Sequence, residues 1–238
     1  MATSPKRTLW LVATPLGNLG DLSPRAEQVL RDADLWFVED TRVSAKLAHH
    51  LQVKKPMQVV NDHTSLGKLE MLAGSFTHSA ALLTDAGTPV VSDPGTLFIQ
   101  ACLGEGIEVD SVPGPSAATN ALALSGFFGQ RFAFLGFLGR KSGDIKKELA
   151  PFAESPFTLV LFESPFRVEA LLKCAHEALG ERRYAVCREM TKLHQEVIRG
   201  WLSDGLEGRT NLKGEITVVI EGRRKKEMKR LQDNGNQD

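Results

Sequence analysis

Short apolar runs alternate along the chain with longer stretches of mixed polarity. Residues 8–13, 35–38, 57–60, 80–83 and 107–112 are nearly unbroken in apolar side chains, as strands covered on both faces are. Between them, residues 24–31, 44–51, 66–74 and 96–104 read as helices. The first of these follows Ser23 and places Pro24 at its first position, where a missing N–H costs nothing. Repetition of strand and helix predicts a mostly parallel sheet with helices on both faces.

The pattern breaks at Val112-Pro113-Gly114-Pro115-Ser116. Two prolines fix the backbone there and Gly114 permits a tight bend. A helix of small residues follows at 117–124, and a second series begins: strands at 132–136, 157–162, 184–188 and 215–220, helices at 142–152 and 166–179. Two α/β domains are therefore expected, 7–115 and 116–222, with a basic tail at 223–238. The 238-residue length suits that division. Phe127 and Phe128 are assigned to the core of the second domain. No internal repeat is found.

Charge changes the picture little. The 29 basic and 29 acidic residues cancel, so the whole chain argues neither for nor against a polyanion. The segment from Arg223 to Arg230 holds six bases and one acid, which suits a solvated tail or a polyanion contact. Cys102, Cys174 and Cys187 are far apart and in apolar surroundings, without the spacing of a metal site, and read as buried free thiols. The short N-terminal segment lacks the apolar core of a leader, and no apolar run nears the ~20 residues of a membrane span. A cytoplasmic protein is expected.

Candidate chemistry lies in the turns. The loop from Thr14 to Asp21 follows the first strand, Glu39 to Arg42 the second, Asp62-His63-Thr64 the third, Asp85 to Gly95 the fourth, and Pro113 to Ser116 the fifth. All occupy carboxyl ends of strands, the rim where open parallel sheets bind ligands. The fourth loop holds two acidic Gly/Pro turns in immediate succession, where a simple connection needs one. Helix starts after Gly95 and Ser116 offer N–H donors to a carboxylate or phosphate. Asp85 and Asp93 suit ammonium, hydroxyl or sulfonium groups. Neither a dinucleotide-binding glycine fingerprint nor a P-loop is present. Donors and carboxylates together favour a zwitterionic small ligand.

The segments VATPLGNLGDLSPRA, EDTRVS, LLTDAGTPVVSDPG, VPGPSAATNALALSG, GFLGRK, FESPFR, CREMTKLHQEVIRG and KGEITVVIEG occur in that order. Together they resemble the tetrapyrrole (corrin/porphyrin) methylase superfamily, and within it the small-subunit ribosomal RNA 2′-O-ribose (cytidine) methyltransferase branch. The resemblance implies a class III methyltransferase fold: two α/β domains with a ligand cleft between them, in a homodimer. It implies S-adenosylmethionine held by Pro15, Gly17, Asp85, Ala86, Gly87, Thr88, Pro89, Pro94, Gly95, Gly114, Ser116 and Ala117. From the second domain it adds Phe162, Glu163, Glu189, Gly214 and Glu215. Ribosomal RNA of the small subunit is the implied partner, and no metal takes part.

Methyl transfer to a ribose hydroxyl needs donor and acceptor held in line, helped by a base or a stabiliser of the developing alkoxide. Asp40, Asp62 and His63 are candidates, with Lys192 as an electrostatic helper. Arg42, Arg140, Lys141 and Lys192 suit phosphate contacts. Asp40 and Arg42 equally suit a structural ion pair, His63 a loop-capping role, and each basic residue a solvated surface position. Three stretches depart from the branch's pattern. The third-strand loop reads Asn61-Asp62-His63-Thr64-Ser65 in place of a His-Glu/Asp-His-Asn-Glu pattern, Phe166 replaces a histidine, and Gly139 replaces a proline. The branch's C-terminal helical extension is expected to be missing. A small tetrapyrrole-like acceptor, or a non-catalytic RNA- or ribosome-binding role, are the competing readings.

Overall fold

The computed structural model describes residues 7–206, 208–209 and 212–224. Most of the expected basic tail, from residue 225 on, lies outside the described residues. The chain divides between Ser116 and Ala117 into two units.

The first unit contains β1 (Thr8–Val12), α1 (Pro24–Asp32), β2 (Leu35–Val38), α2 (Thr41–His50) and β3 (Met57–Val59). It continues with α3 (Leu66–Ala73), β4 (Ser79–Leu82), α4 (Thr96–Gly104) and β5 (Glu108–Val112). Its five strands are parallel throughout, in the order β3-β2-β4-β1-β5. One face of the sheet packs on α1 and α2 through Val12, Leu30, Trp36, Val38 and Leu47. The other packs on α3 and α4 through Leu9, Phe37, Leu72, Leu82 and Phe98. Strands β1 and β4 are neighbours whose following helices leave to opposite faces. Their carboxyl ends form a topological switch point, where ligand crevices open in such sheets.

Helix α2 begins at Thr41, ahead of the expected 44. The Asp40 carboxylate accepts a hydrogen bond from the Arg42 N–H at 2.8 Å and so caps the helix early.

The second unit contains α5 (Ala117–Ser125), β6 (Phe132–Phe137), α6 (Ser142–Leu149), β7 (Thr158–Glu163) and α7 (Val168–Leu179), followed by β8 (Arg183–Arg188), β9 (Glu196–Trp201) and β10 (Ile216–Ile220). The order is β6-β7-β10-β8-β9, and only the β6–β7 pair is parallel. Strand β9 is an addition to the expected elements. Its sequence, EVIRGW, interrupts the apolar run with Arg199 and Gly200, so its alternation is weak. Helices α6 and α7 bury one face through Leu149, Leu171, Val186 and Val218, while α5 covers the other through Ala121, Val160, Cys187 and Val219.

Phe127 and Phe128 do not both enter the core. Phe127 is half-buried against the α5 cluster, whereas Phe128 is exposed and lies under the Arg224 guanidinium. An aromatic face is a favourable seat for a cation at the surface, which offsets its lost burial. All three cysteines are buried and unpaired. Burial pushes the Cys102 thiol up to about 12 and the Cys187 thiol up to about 11. No helix among the described residues is long and apolar enough to cross a membrane.

Candidate functional site

Three loops at the switch point of the first unit are laced together by hydrogen bonds. The Thr14 N–H donates to the Gly87 carbonyl at 2.8 Å and the Gly87 N–H donates back to Thr14 at 3.0 Å. A one-residue antiparallel bridge thus joins the loops after β1 and β4. The Thr14 hydroxyl also donates to the Thr84 carbonyl at 3.2 Å. From the same loop, the Thr88 hydroxyl donates to the Pro115 carbonyl at 3.0 Å, tying in the segment after β5.

Close packing dictates the glycines. A Cβ on Gly95, whose φ is 130°, would meet Leu82 Cδ2 at 3.0 Å, and one on Gly114 would meet Ala13 Cβ at 3.1 Å. Between the two acidic turns the chain is strained. Val90 and Ser92 hold φ of 71° and 65°, and a left-handed β-branched residue costs on the order of 1–3 kcal/mol.

The rim of this unit is acidic. Glu39 follows β2, Asp85 and Asp93 follow β4, and none of the three forms an ion pair among the described residues. Burial, then the negative charge of Glu39, pushes Asp93 up to about 6. Burial followed by the charge of Asp85 raises Glu39. Burial followed by the charge of Asp40 raises Asp85, although that residue is exposed at the rim.

Asp40 behaves oppositely. Hydrogen bonds from the Arg42 side chain, the shortest at 2.5 Å, and from the Arg42 backbone hold it down to about 2. The expected base and the expected phosphate contact therefore occupy each other.

After β3, Asp62 lines a small cavity of about 140 Å³ together with Asn61, Thr64, Asp93 and Pro94. His63 is exposed and does not line it; its N–H closes a turn onto Asn61 Oδ1 at 3.1 Å.

One edge of the second sheet gathers the remaining expected residues. The register pairs Phe137 with Phe162, Ile216 with both Glu163 and Arg188, and Glu196 with Arg188. The loops holding Arg140 and Lys141, Ser164 to Arg167, Glu189 to Gln195 and Gly214-Glu215 consequently share that edge.

Here nearly every charge is paired. Lys192 Nζ donates to Glu189 Oε1 and Glu215 Oε2, both at 3.0 Å. Burial works against the Lys192 ammonium, yet the two carboxylates outweigh it and raise its pKa above the ordinary lysine value. The Glu215 N–H, then the lysine, lower Glu189. Glu189 itself holds φ of 49°, and a Cβ on Gly214 would lie 2.4 Å from its side chain. Buried Glu163 accepts from the Ser164 N–H at 2.7 Å and pairs with Arg167 at 3.3 Å. Phe162 packs edge-on against Phe134 and Phe137.

Within each unit, then, the expected residues converge on one rim. Pro15, Gly17, Ala86 and Pro89 lie in the laced loops of the first unit, and Ser116 ends it. Ala117 opens α5 in the second. Glu39 was not singled out from sequence, although its place as the first residue after β2 was a usable signal. Arg167 also escaped notice. Its guanidinium donates to the Gly139 carbonyl at 2.8 Å and joins two separate motifs.

The family model described as Tetrapyrrole (Corrin/Porphyrin) Methylases matches residues 8–204. A Thermotoga maritima protein named "Ribosomal RNA small subunit methyltransferase I" is 42% identical over 219 residues, covering 90% of this chain and 98% of that protein. Its namesake from Haemophilus influenzae is 40% identical, covering 91% and 79%. Among solved structures, a diphthine synthase superposes with a TM-score of 0.69 at 14% identity, over 91% of this chain and 90% of that one. A Thermus thermophilus uroporphyrin-III C-methyl transferase, solved with S-adenosyl homocysteine, gives 0.62 at 20% identity over 90% and 97%. At such identities these two likenesses concern the fold.

Proposed function

The chain belongs to the tetrapyrrole (corrin/porphyrin) methylases, and we propose that it transfers a methyl group from S-adenosylmethionine to small-subunit ribosomal RNA. The acceptor we assign is the 2′-hydroxyl of a cytidine. A cytoplasmic homodimer is part of the same reading. The observation that carries it is the switch-point rim of the first unit, with three carboxylates that no cation pairs among the described residues.

Like charges so placed disfavour one another until a positive group arrives. The donor fits, because it carries a sulfonium and an ammonium. When bound, it supplies a methyl group on a positively charged sulfur. Glu39, Asp85 and Asp93 hold that positive charge at the rim. The laced backbone of Thr14, Gly87 and Thr88 keeps the rim rigid, so alignment costs little when the acceptor arrives.

Asp40 is a poor base, because its pKa near 2 leaves little proton affinity at neutral pH. Asp62, beside Asp93 in the small cavity, is better placed to accept a hydroxyl proton. The names of the relatives support RNA as the acceptor over a small tetrapyrrole.

The test uses labelled donor and small ribosomal subunits from cells lacking this protein. Label in the RNA at one nucleotide is expected. The adjoining phosphodiester should resist alkali, since a methylated 2′-oxygen cannot attack it. Label that stays in protein or in a small molecule would remove the RNA assignment. Separately, Asp85→Ala should weaken donor binding in calorimetry without altering the circular dichroism. Undiminished affinity would take Asp85 out of the site.

A further inference from the structure

We infer that the rim of the second unit around Phe166 holds a single-stranded segment of the RNA, with one unstacked base laid against the Phe166 ring. The inference rests on the RNA reading above and adds to it a place and a mode of contact. Phe166 is 92% exposed, so its ring adds little to the fold that carries it. Its backbone is nonetheless firmly held. The Arg167 N–H donates to the Ser164 carbonyl at 3.0 Å, and the Arg167 guanidinium spans Glu163 and the Gly139 carbonyl. The ring thus stands on a braced turn. It borders a groove of about 470 Å³ whose other walls include Pro165, Leu206 and Leu212. Among the described residues, both charged side chains that line the groove are occupied: Glu169 accepts from the Leu206 N–H, and Arg209 pairs with Glu196. Phe166, Pro165, Leu206 and Leu212 supply its apolar side, and its size admits a nucleoside.

The bond from Arg167 to Gly139 brings a second feature to the ring. Arg140 follows Gly139 and Phe166 precedes Arg167, so each lies one residue from that bond. Arg140 and Lys141 are exposed and form no ion pair among the described residues. Glu148, the carboxylate tied to this loop, is turned onto the Gly139 N–H at 3.1 Å. Arg188, Lys192 and Arg209, by contrast, are committed to carboxylates. A bare aromatic face beside two uncommitted cations matches the chemistry of single-stranded RNA. Its bases stack on rings, and its phosphates draw lysine and arginine.

The experiment measures binding of fluorescently labelled oligocytidylate, and of the intact small subunit, to the full chain and its variants. Phe166→Ala should weaken oligocytidylate binding roughly 5- to 150-fold, the range expected for one stacked base. Phe166→Trp should restore it, and its added indole emission should be quenched by the RNA relative to wild type. Phe166→Leu, apolar but without a π face, should not restore it. Arg140→Ala and Lys141→Ala should each reduce the slope of log affinity against log salt by about 0.7.

Equal binding by wild type and Phe166→Ala overturns the inference, as does a wild-type chain that binds no oligocytidylate. Loss of affinity for the intact subunit alone overturns it too, and points to a protein surface against the ring. Methyl transfer to subunit RNA, followed on the same preparations, separates these results from failure of the functional reading. Transfer with no Phe166 effect sinks only the stacking, whereas absent transfer with donor bound sinks the acceptor assignment.

Discussion

The two units solve the same electrostatic problem in opposite ways. Each gathers acidic side chains at one rim of a five-stranded sheet. In the second, Glu163, Glu189, Glu196 and Glu215 all meet cations. In the first, Glu39, Asp85 and Asp93 meet none among the described residues and are pushed up by burial and by their neighbours. Arg42, two residues beyond Asp40, is spent on that carboxylate. A rim whose carboxylates are satisfied internally gains nothing from a cationic ligand and leaves Arg140 and Lys141 for an anionic ligand. One whose charges are left opposed is stable only because the rest of its domain holds it, and it gains most from a cationic ligand.

That contrast can be broken most forcefully at the acidic rim. Replacing Glu39, Asp85 and Asp93 together by their amides should lower donor affinity by about 100-fold or more while raising the melting temperature, because opposition between charges is removed with the site. Calorimetry and thermal melts check both signs. Unchanged affinity, or a lower melting temperature, would place these residues with the structural pairs of the second unit.

At the satisfied rim the sign reverses. Glu163→Ala removes the carboxylate partner of Arg167, leaves its charge only carbonyl partners, frees the Ser164 N–H, and should cost about 3 kcal/mol in urea unfolding. Lys192→Met leaves Glu189 and Glu215 facing each other, at a smaller cost of about 1–2 kcal/mol since Glu215 is largely exposed.

Asp93 sharpens the comparison through pH. Its pKa near 6 exceeds the unperturbed 3.8, so the folded state holds this proton more tightly than the unfolded chain does. Stability is therefore lost as pH rises from about 4 through about 6. Asp93→Asn should melt higher than wild type at pH 8, by about 1–2 kcal/mol at the transition, with the gain gone at pH 4. A difference that does not depend on pH would mean that Asp93 acts by packing. The smallest effect is expected at Asp40→Asn, where asparagine caps α2 as well as aspartate does and the lost pair is exposed.

Much of the first unit was legible in sequence because its strands are covered on both faces. Leu35–Val38 is buried at every residue and stands out from polar flanks. The turn chemistry of Asp85 to Gly95 was equally plain, since acidic Gly/Pro pairs have few other uses. Strand β9 was hidden because it is an edge strand whose apolar residues are interrupted by exposed Arg199 and by a glycine at position 200, where a Cβ would meet the Tyr184 hydroxyl at 3.0 Å. Electrostatic roles were the least legible. The sequence offered the pair of Asp40 with Arg42 beside a catalytic role for Asp40, and nothing in the spacing chose between them. That depends on α2 starting at Thr41 and turning Arg42 back onto its own cap. The tie between Gly139 and Arg167 was out of reach for a similar reason: 28 residues separate its ends. It also gives the Gly139 substitution a physical sense, because the N–H that reaches Glu148 is one a proline lacks.

The three buried thiols carry a practical consequence. A thiol reagent attacks the thiolate, and burial denies Cys102 and Cys187 both ionisation and access. With Cys174 also enclosed and no other cysteine in the chain, the folded protein is nearly silent toward maleimides and reacts as it opens. Labelling rate therefore becomes a clock for unfolding. A single cysteine introduced at an exposed position such as Phe166 would take a probe alone, leaving the native thiols in place.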